Sequence, residues 1–403
     1  MFHRNSLCEG RHNCMFVLAF GYRTKPLQSI HIPKDEPVKK SDSKTILMTA
    51  FEPSGDALGA MAAKGVFARD DSVRIVGLGG KEMEEAGVEL LAHTSDEAAM
   101  GLHALGEVMR VKQLVDKVRK WLGENEAPLH VAVDSPAANF PVCKIARSHS
   151  MKVIHLAAPQ MWAWAPWRIK KMRRLTDHVM CLLPFEPVWF KERGVDATFI
   201  GHPAMATSEA APLQLKGDSP KVLLLPGSRS SEIKANLPMQ LRIVELLKQE
   251  FPTASACIAC REEDVPRVQP LAGEVPVVGD KLHESLEWAD VALTTSGTVS
   301  LHVMQHAVPM IGMYKVGFLS RIGAKLLLNT PYRLLPNLIA GKEVVPEFIP
   351  CGDATRAIAR SVIQLLRDPS ALETQRRILR EEASQYAAHH PSEEAAAIIL
   401  KHV

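Results

Sequence analysis

Five short stretches carry residues whose types and spacing suit chemistry. In VAVDSPAANF, Asp134 closes an apolar run and Asn139 follows five residues later. A carboxylate at a strand end can take a proton from a hydroxyl nucleophile; it can equally cap the next helix. LLLPGSRSSE delivers a strand into Gly227, which tolerates tight or left-handed geometry, and then offers Ser228 and Arg229 at a helix start. Such a start presents unpaired N–H groups and the positive end of the helix dipole to an anion. The planar guanidinium of Arg229 suits phosphate oxygens, although a capped helix with a surface arginine would carry the same residues. LTTSGTVS repeats the arrangement with Ser296, Gly297 and Thr298. Two such turns in one domain point to a diphosphate more strongly than either alone. Neither is a Walker loop, because no Gly-Lys-Ser/Thr follows, and no Gly-x-Gly-x-x-Gly opens the first helix. FEPSGD sets Glu52, Ser54 and Asp56 on another turn, and IGHP sets His202 at a further strand end.

AAPQMWAWAPWRIKKMRR is of a different kind. Trp162, Trp164 and Trp167 stand directly before Arg168, Lys170, Lys171, Arg173 and Arg174. The stretch fits a packing knot, a nucleic-acid surface, or a site for something both apolar and phosphorylated. Cys257 and Cys260 have Cys-x-x-Cys spacing but no second pair. ACIACRE reads as the end of a buried strand, so no metal site is expected.

These turns need elements to hold them. Short apolar runs ending in turn residues alternate with helical segments, which implies βαβ units and parallel sheets. The alternation begins at SKTILMTAFEPSGD and restarts at KVLLLPGSRSSEI. The reading is α/β: two Rossmann-like, doubly wound parallel-sheet domains facing a central cleft. The expected organisation is a leader or miscalled start over 1–44, a first domain over 45–205, a linker over 206–220, a second domain over 221–370, and C-terminal helices over 371–403 that pack on the first domain or a partner subunit. Parallel sheets bind ligands beyond the carboxyl ends of their strands, so the quoted turns should face the cleft.

The 403 residues carry a net charge of +3. Residues 1–44 hold eight Lys or Arg against four Asp or Glu, leaving the rest close to neutral. A general nucleic-acid binder would more often carry a strongly basic domain, and no partner of that kind is expected. No apolar run is long enough to span a bilayer. The 7 cysteines, an odd number, with no signal peptide, suggest a reducing cytoplasm.

In order along the chain, EPSGD, GLGG, AMG, VDSP, PQMWAW, LPFE, FIGHP, LLLPGSR, SGT and LPNLIAG resemble the lipid-A-disaccharide synthase family, from about Ile46 to Ile349. The combination of WAW, LPFE, GHP and LPGSR is what makes the resemblance specific. It implies an inverting glycosyltransferase of the B architecture, with no metal and no cofactor. It implies as substrates UDP-2,3-diacylglucosamine, the donor, and 2,3-diacylglucosamine 1-phosphate, whose 6-hydroxyl accepts the sugar in a β-1,6 link. It also implies work in the cytoplasm at the inner membrane face, and it permits a homodimer. Matched motif by motif, it makes Asp134 the base and gives Glu52, Ser54, Asp56, Asn139 and His202 to the acceptor side. Gly227, Ser228, Arg229, Ser296, Gly297, Thr298, His302 and Asn337 fall to the donor. The Trp cluster with Arg168 and Arg173 would meet lipid or the acceptor phosphate.

The chain departs from the family pattern at Ala137, where an Asp is usual, and at His302, where a Glu is usual. Phe51 and Pro53 also reshape the first turn. Ala137 and His302 favour a non-catalytic lipid-binding descendant, or a transferase for another lipid acceptor. The retained Asp134, Arg229 and Asn337 oppose loss of turnover.

Overall fold

The computed structural model describes residues 44–94, 104–206, 210–215, 217–317 and 330–403. The leader expected over 1–44 lies outside them except for Lys44, as does the AMG motif.

The first sheet holds β1 (Thr45–Ala50), β2 (Arg74–Gly79), β3 (Glu89–His93), β4 (Leu129–Val133), β5 (Lys152–Leu156), β6 (His178–Cys181) and β7 (Ala197–Phe199). Their order is β3-β2-β1-β4-β5-β6-β7, and every pairing is parallel. The second sheet holds β8 (Asp218–Leu225), β9 (Ala254–Cys260), β10 (Val277–Gly279), β11 (Val291–Thr294), β12 (Met310–Lys315) and β13 (Glu347–Cys351). It too is all parallel, in the order β10-β9-β8-β11-β12-β13. Strands covered on both faces read as unbroken apolar runs, and β1, TILMTA, is buried at all six positions. β8 starts at Asp218, inside the stretch read as linker.

Side-chain alternation splits β1 between two cores. Ile46, Met48 and Ala50 pack with Ala60, Ala63 and Val66 of the helix Pro53–Arg69. Leu47 joins Phe140 and Val142 of the helix Pro136–Ser148 on the other face. The second sheet is divided likewise, with Val222 and Leu224 against Ile233, Leu237 and Ile358. Leu223 and Leu225 face Leu286, Leu301 and Met304.

The two final helices serve different domains. Leu379, on the helix Pro369–Ser384, enters the second domain's core, and the Gln375 side chain accepts the Met310 N–H at 2.7 Å. The chain then crosses back: Tyr386 and His389 stand edge-on to Phe199 of β7, at 5.3 and 4.5 Å. The helix Pro391–His402 lies on Pro53–Arg69 and adds Ala395, Ala396 and Ile399 to the first core. Gly65 permits that approach, because a Cβ there would stand 2.3 Å from the Ser392 carbonyl oxygen.

Candidate active site

In each sheet the strand order reverses once, between β1 and β4 in the first and between β8 and β11 in the second. A crevice opens beyond the strand ends at such a point. Four of the five stretches singled out in the sequence follow these four strands. They border one cleft of about 660 Å³, on whose walls stand Ser54, Asp134, Arg229, Ser296, Gly297 and Thr298.

The turn after β4 is strained. Asp134 and Ser135 have φ of 49° and 37°, left-handed values uncommon for residues with a Cβ. The Asp134 N–H donates to the Leu156 carbonyl at 2.9 Å. The Asn139 amide donates to the carbonyls of Val133 and Asp134, at 2.9 and 2.8 Å. The Ser54 hydroxyl donates to Asp134 Oδ2 at 3.2 Å, and the Ser135 hydroxyl to Glu52 Oε1 at 2.7 Å. Among the described residues Asp134 Oδ1 has no partner. It is an acceptor presented to the cleft.

Asn139 and Asp56 lie elsewhere than expected. Asn139 is fully buried behind the turn. Asp56 is also buried, and its carboxylate accepts the N–H groups of Gly80, Glu82 and Met83 at 2.6 to 3.1 Å. It caps the short helix Lys81–Glu85 instead of meeting an acceptor, because three orphan donors hold it inward.

The turn after β8 needs a larger correction. Gly227 has φ of 109° and lets the chain fold over the side chain of Glu232. That carboxylate accepts the N–H groups of Ser228 and Arg229, at 3.1 and 3.3 Å. The loop amides are therefore occupied, and Gly227 and Ser228 do not border the cleft. What the loop presents is the Arg229 guanidinium, 75% exposed and anchored by Nη1 on Glu232 Oε1 at 2.7 Å. Tyr314 donates to the same oxygen at 3.0 Å. Burial pushes the Glu232 carboxyl up, but Arg229 and Tyr314 pull harder and it ends below its ordinary value. Glu232 was missed in the sequence, although a Glu three residues into a helix is a known capping signature.

Across from Arg229, Ser296 donates to the Arg333 carbonyl at 3.1 Å, and Gly297 has φ of 123°. Arg333 is a second cleft cation that sequence reasoning missed. Its backbone N–H is held by Glu347 at 2.9 Å, and Glu347 also accepts from Asn337 at 3.1 Å. Asn337 itself is fully buried, bonding Val345 in both directions at 2.7 and 2.8 Å. It fixes the loop carrying Arg333 and has no group left for a ligand.

His202 borders the cleft as a neutral donor. Its Nδ1 accepts the Ala204 N–H at 3.0 Å, which leaves the proton on Nε2. Burial, with His302 nearby, pushes the imidazole down to about 4. His302 does not border the cleft. It stands edge-on to His283 at 5.3 Å, and His283 contacts the pair His306–Glu287.

The tryptophan stretch divides. Trp162 borders the cleft and donates to Glu186 at 3.0 Å, edge-on to Phe185 at 4.9 Å. Trp164 borders the cleft under the Arg168 guanidinium at 4.5 Å. Trp167, 65% exposed, faces water, and neither it nor Arg168 nor Arg173 borders the cleft. Arg173 packs its stem beside Gly194. Glu186, also on the cleft wall, is buried, and burial pushes its carboxyl up to about 7. Cys257 and Cys260 sit on β9, and among the described residues no group of three or more His, Cys, Asp or Glu is arranged to hold a metal. No described helix is long and apolar enough to cross a membrane.

A family model described as lipid-A-disaccharide synthetase matches residues 46–401. The lipid-A-disaccharide synthase of Gluconobacter oxydans (strain 621H) is 33% identical over 351 residues, 83% of this chain and 84% of its own. The lipid-A-disaccharide synthase of Geobacter sulfurreducens is 30% identical over 376 residues, 90% of this chain and 98% of its own. Among solved structures, the glycotransferase of kitacinnamycin superposes with a TM-score of 0.60 at 16% identity, covering 90% of this chain and 100% of its own. That likeness shows a shared fold of two parallel-sheet α/β domains.

Proposed function

Because the chain belongs to the lipid-A-disaccharide synthetase family, whose members are glycosyltransferases, we propose that it joins two acylated glucosamines. The donor is UDP-2,3-diacylglucosamine and the acceptor 2,3-diacylglucosamine 1-phosphate. Asp134 takes the proton of the acceptor 6-hydroxyl while that oxygen bonds to the anomeric carbon. The bond from that carbon to the UDP oxygen breaks on the opposite face, so the centre inverts to a β link. UDP leaves with its negative charge against Arg229, with Arg333 and the Ser296–Thr298 turn close by. Fixed cations and dipoles in a cleft can do what a metal does for a leaving diphosphate, so turnover without a metal ion is part of the proposal. The supporting observation is that Asp134 and Arg229, one from each sheet's switch point, border one cleft. Trp164 and Trp167, beside Arg168, would meet the headgroup layer from which both acylated sugars come.

The test is UDP release with both acylated sugars present, with and without a chelator. Asp134→Asn is expected to lower turnover by about 10³-fold, within the range of general-base catalysis, with UDP affinity unchanged. Turnover of that variant at the wild-type rate refutes the base. Arrest by the chelator refutes metal independence.

A further inference from the structure

β1 is apolar except at its two threonines, and Thr49 is fully buried. A hydroxyl in such a place must be bonded or it costs stability. Thr49 lies on the sheet face of Leu47, which pairs with His130, while Thr49 pairs with Ala132. The Thr49 hydroxyl consequently meets both the buried His130 ring, Nε2 at 2.8 Å, and Asn139 Oδ1, at 2.6 Å. Both are polar groups with no access to water.

The protons in this chain have one arrangement. Both hydrogens of the Asn139 amide go to the carbonyls of Val133 and Asp134. Its oxygen must then accept, and among the described residues the hydrogen in reach is that of Thr49. The Thr49 oxygen accepts in turn from His130 Nε2–H. His130 is neutral with Nδ1 bare, and that atom is buried without a partner. Burial, with His155 nearby, pushes the imidazole down to about 3, so no ordinary pH reverses the chain. The far end of this locked series is the peptide of Asp134, held in the left-handed conformation at the cleft wall. Such strain persists only where its surroundings over-determine it.

We propose that Thr49, acting through Asn139, is a positioning residue for Asp134: its hydroxyl fixes the Asn139 amide that holds the strained turn. The role rests on reading Asp134 as the base. Thr49 touches no substrate, and its removal displaces the carboxylate without changing the donor site.

The experiment measures UDP release with both acylated sugars, UDP affinity by calorimetry and thermal unfolding, for Thr49→Val, Thr49→Ser and Asp134→Asn. Thr49→Val is expected to lower kcat about 100-fold, the scale of a misplacement near 1 Å. KM for both sugars and UDP affinity should stay within about twofold, since ground-state contacts are intact. Thr49→Ser keeps the hydroxyl and should retain kcat within about threefold. Wild-type turnover in Thr49→Val, equal impairment in Thr49→Ser, or a loss that follows UDP affinity overturns the proposal. If Thr49→Val does not fold, Thr49→Ala takes its place and the same fall in kcat is required. Wild-type turnover in Asp134→Asn would instead refute the base, whereas loss there with wild-type turnover in the Thr49 variants refutes only the positioning.

Discussion

Replacing Glu186 by Gln tests the most unusual buried carboxyl of the cleft wall. Glu186 is 2% exposed. Its Oε1 accepts the Trp162 indole N–H and its Oε2 the Leu183 N–H, each at 3.0 Å. Burial disfavours the charged form more than these bonds favour it, so the carboxyl rises from 4.5 to about 7. A folded value above the unfolded one gives a contribution that is fully present below the unfolded value. It is lost as pH rises toward the folded one. The gap is equivalent to about 3 kcal/mol at about 1.4 kcal/mol per pH unit. Most of that loss falls between pH 5 and 8. The assay is urea unfolding of wild type and Glu186→Gln across that range, read as the difference between the two curves, which cancels every other titrating group. The amide mimics the protonated acid, so the variant should gain on the wild type by about 2 to 3 kcal/mol as pH rises. Curves that stay parallel from pH 5 to 8 would refute the burial argument.

Arg229→Ala should weaken UDP binding about 10- to 100-fold, the value of one or two charge-assisted hydrogen bonds; calorimetry showing unchanged affinity would remove Arg229 from the diphosphate site. Gly65→Ala would drive a methyl to 2.3 Å from the Ser392 carbonyl and should cost about 1 to 3 kcal/mol by overpacking. Limited proteolysis should then release the helix Pro391–His402 first, and an unchanged melting temperature with an uncut C-terminus would contradict that helix contact.

The strand ends were legible because fully buried parallel strands are written as plain apolar runs, and each turn interrupts one. TILMTA before FEPSGD and LLLPGSR after KV announce their geometry locally. The destination of a polar side chain is not local. Asp56 stands in the same short motif as Ser54, yet its partners are backbone groups of Gly80, Glu82 and Met83, brought in by the fold. Asn337 reads as a free amide until the strand β13 supplies Glu347. The loop amides of Ser228 and Arg229 look open until Glu232 turns back on them. The tryptophans seem one patch in sequence, but the chain bends at Ala165 and Pro166. That bend leaves Trp162 against Glu186 and Trp167 in water.

These corrections change how the charge of the cleft is understood. The Ser228 and Arg229 amides would have made a neutral anion site in the loop after β8; Glu232 occupies them and leaves that loop a guanidinium. The hydrogen bond and charge of Glu232 raise the Arg229 guanidinium most, and the charge of Glu52, on the first domain's turn, adds a smaller effect. The cleft thus has the Asp134 carboxylate on the first domain's side and the guanidinium groups of Arg229 and Arg333 on the second's. In the proposed reaction a hydroxyl proton would move to the Asp134 carboxylate, while the departing UDP would move toward the guanidinium groups. Both displacements run downhill in the same field. On that proposal, a carboxylate held at the cost of backbone strain and an arginine tethered to a buried glutamate serve one reaction coordinate.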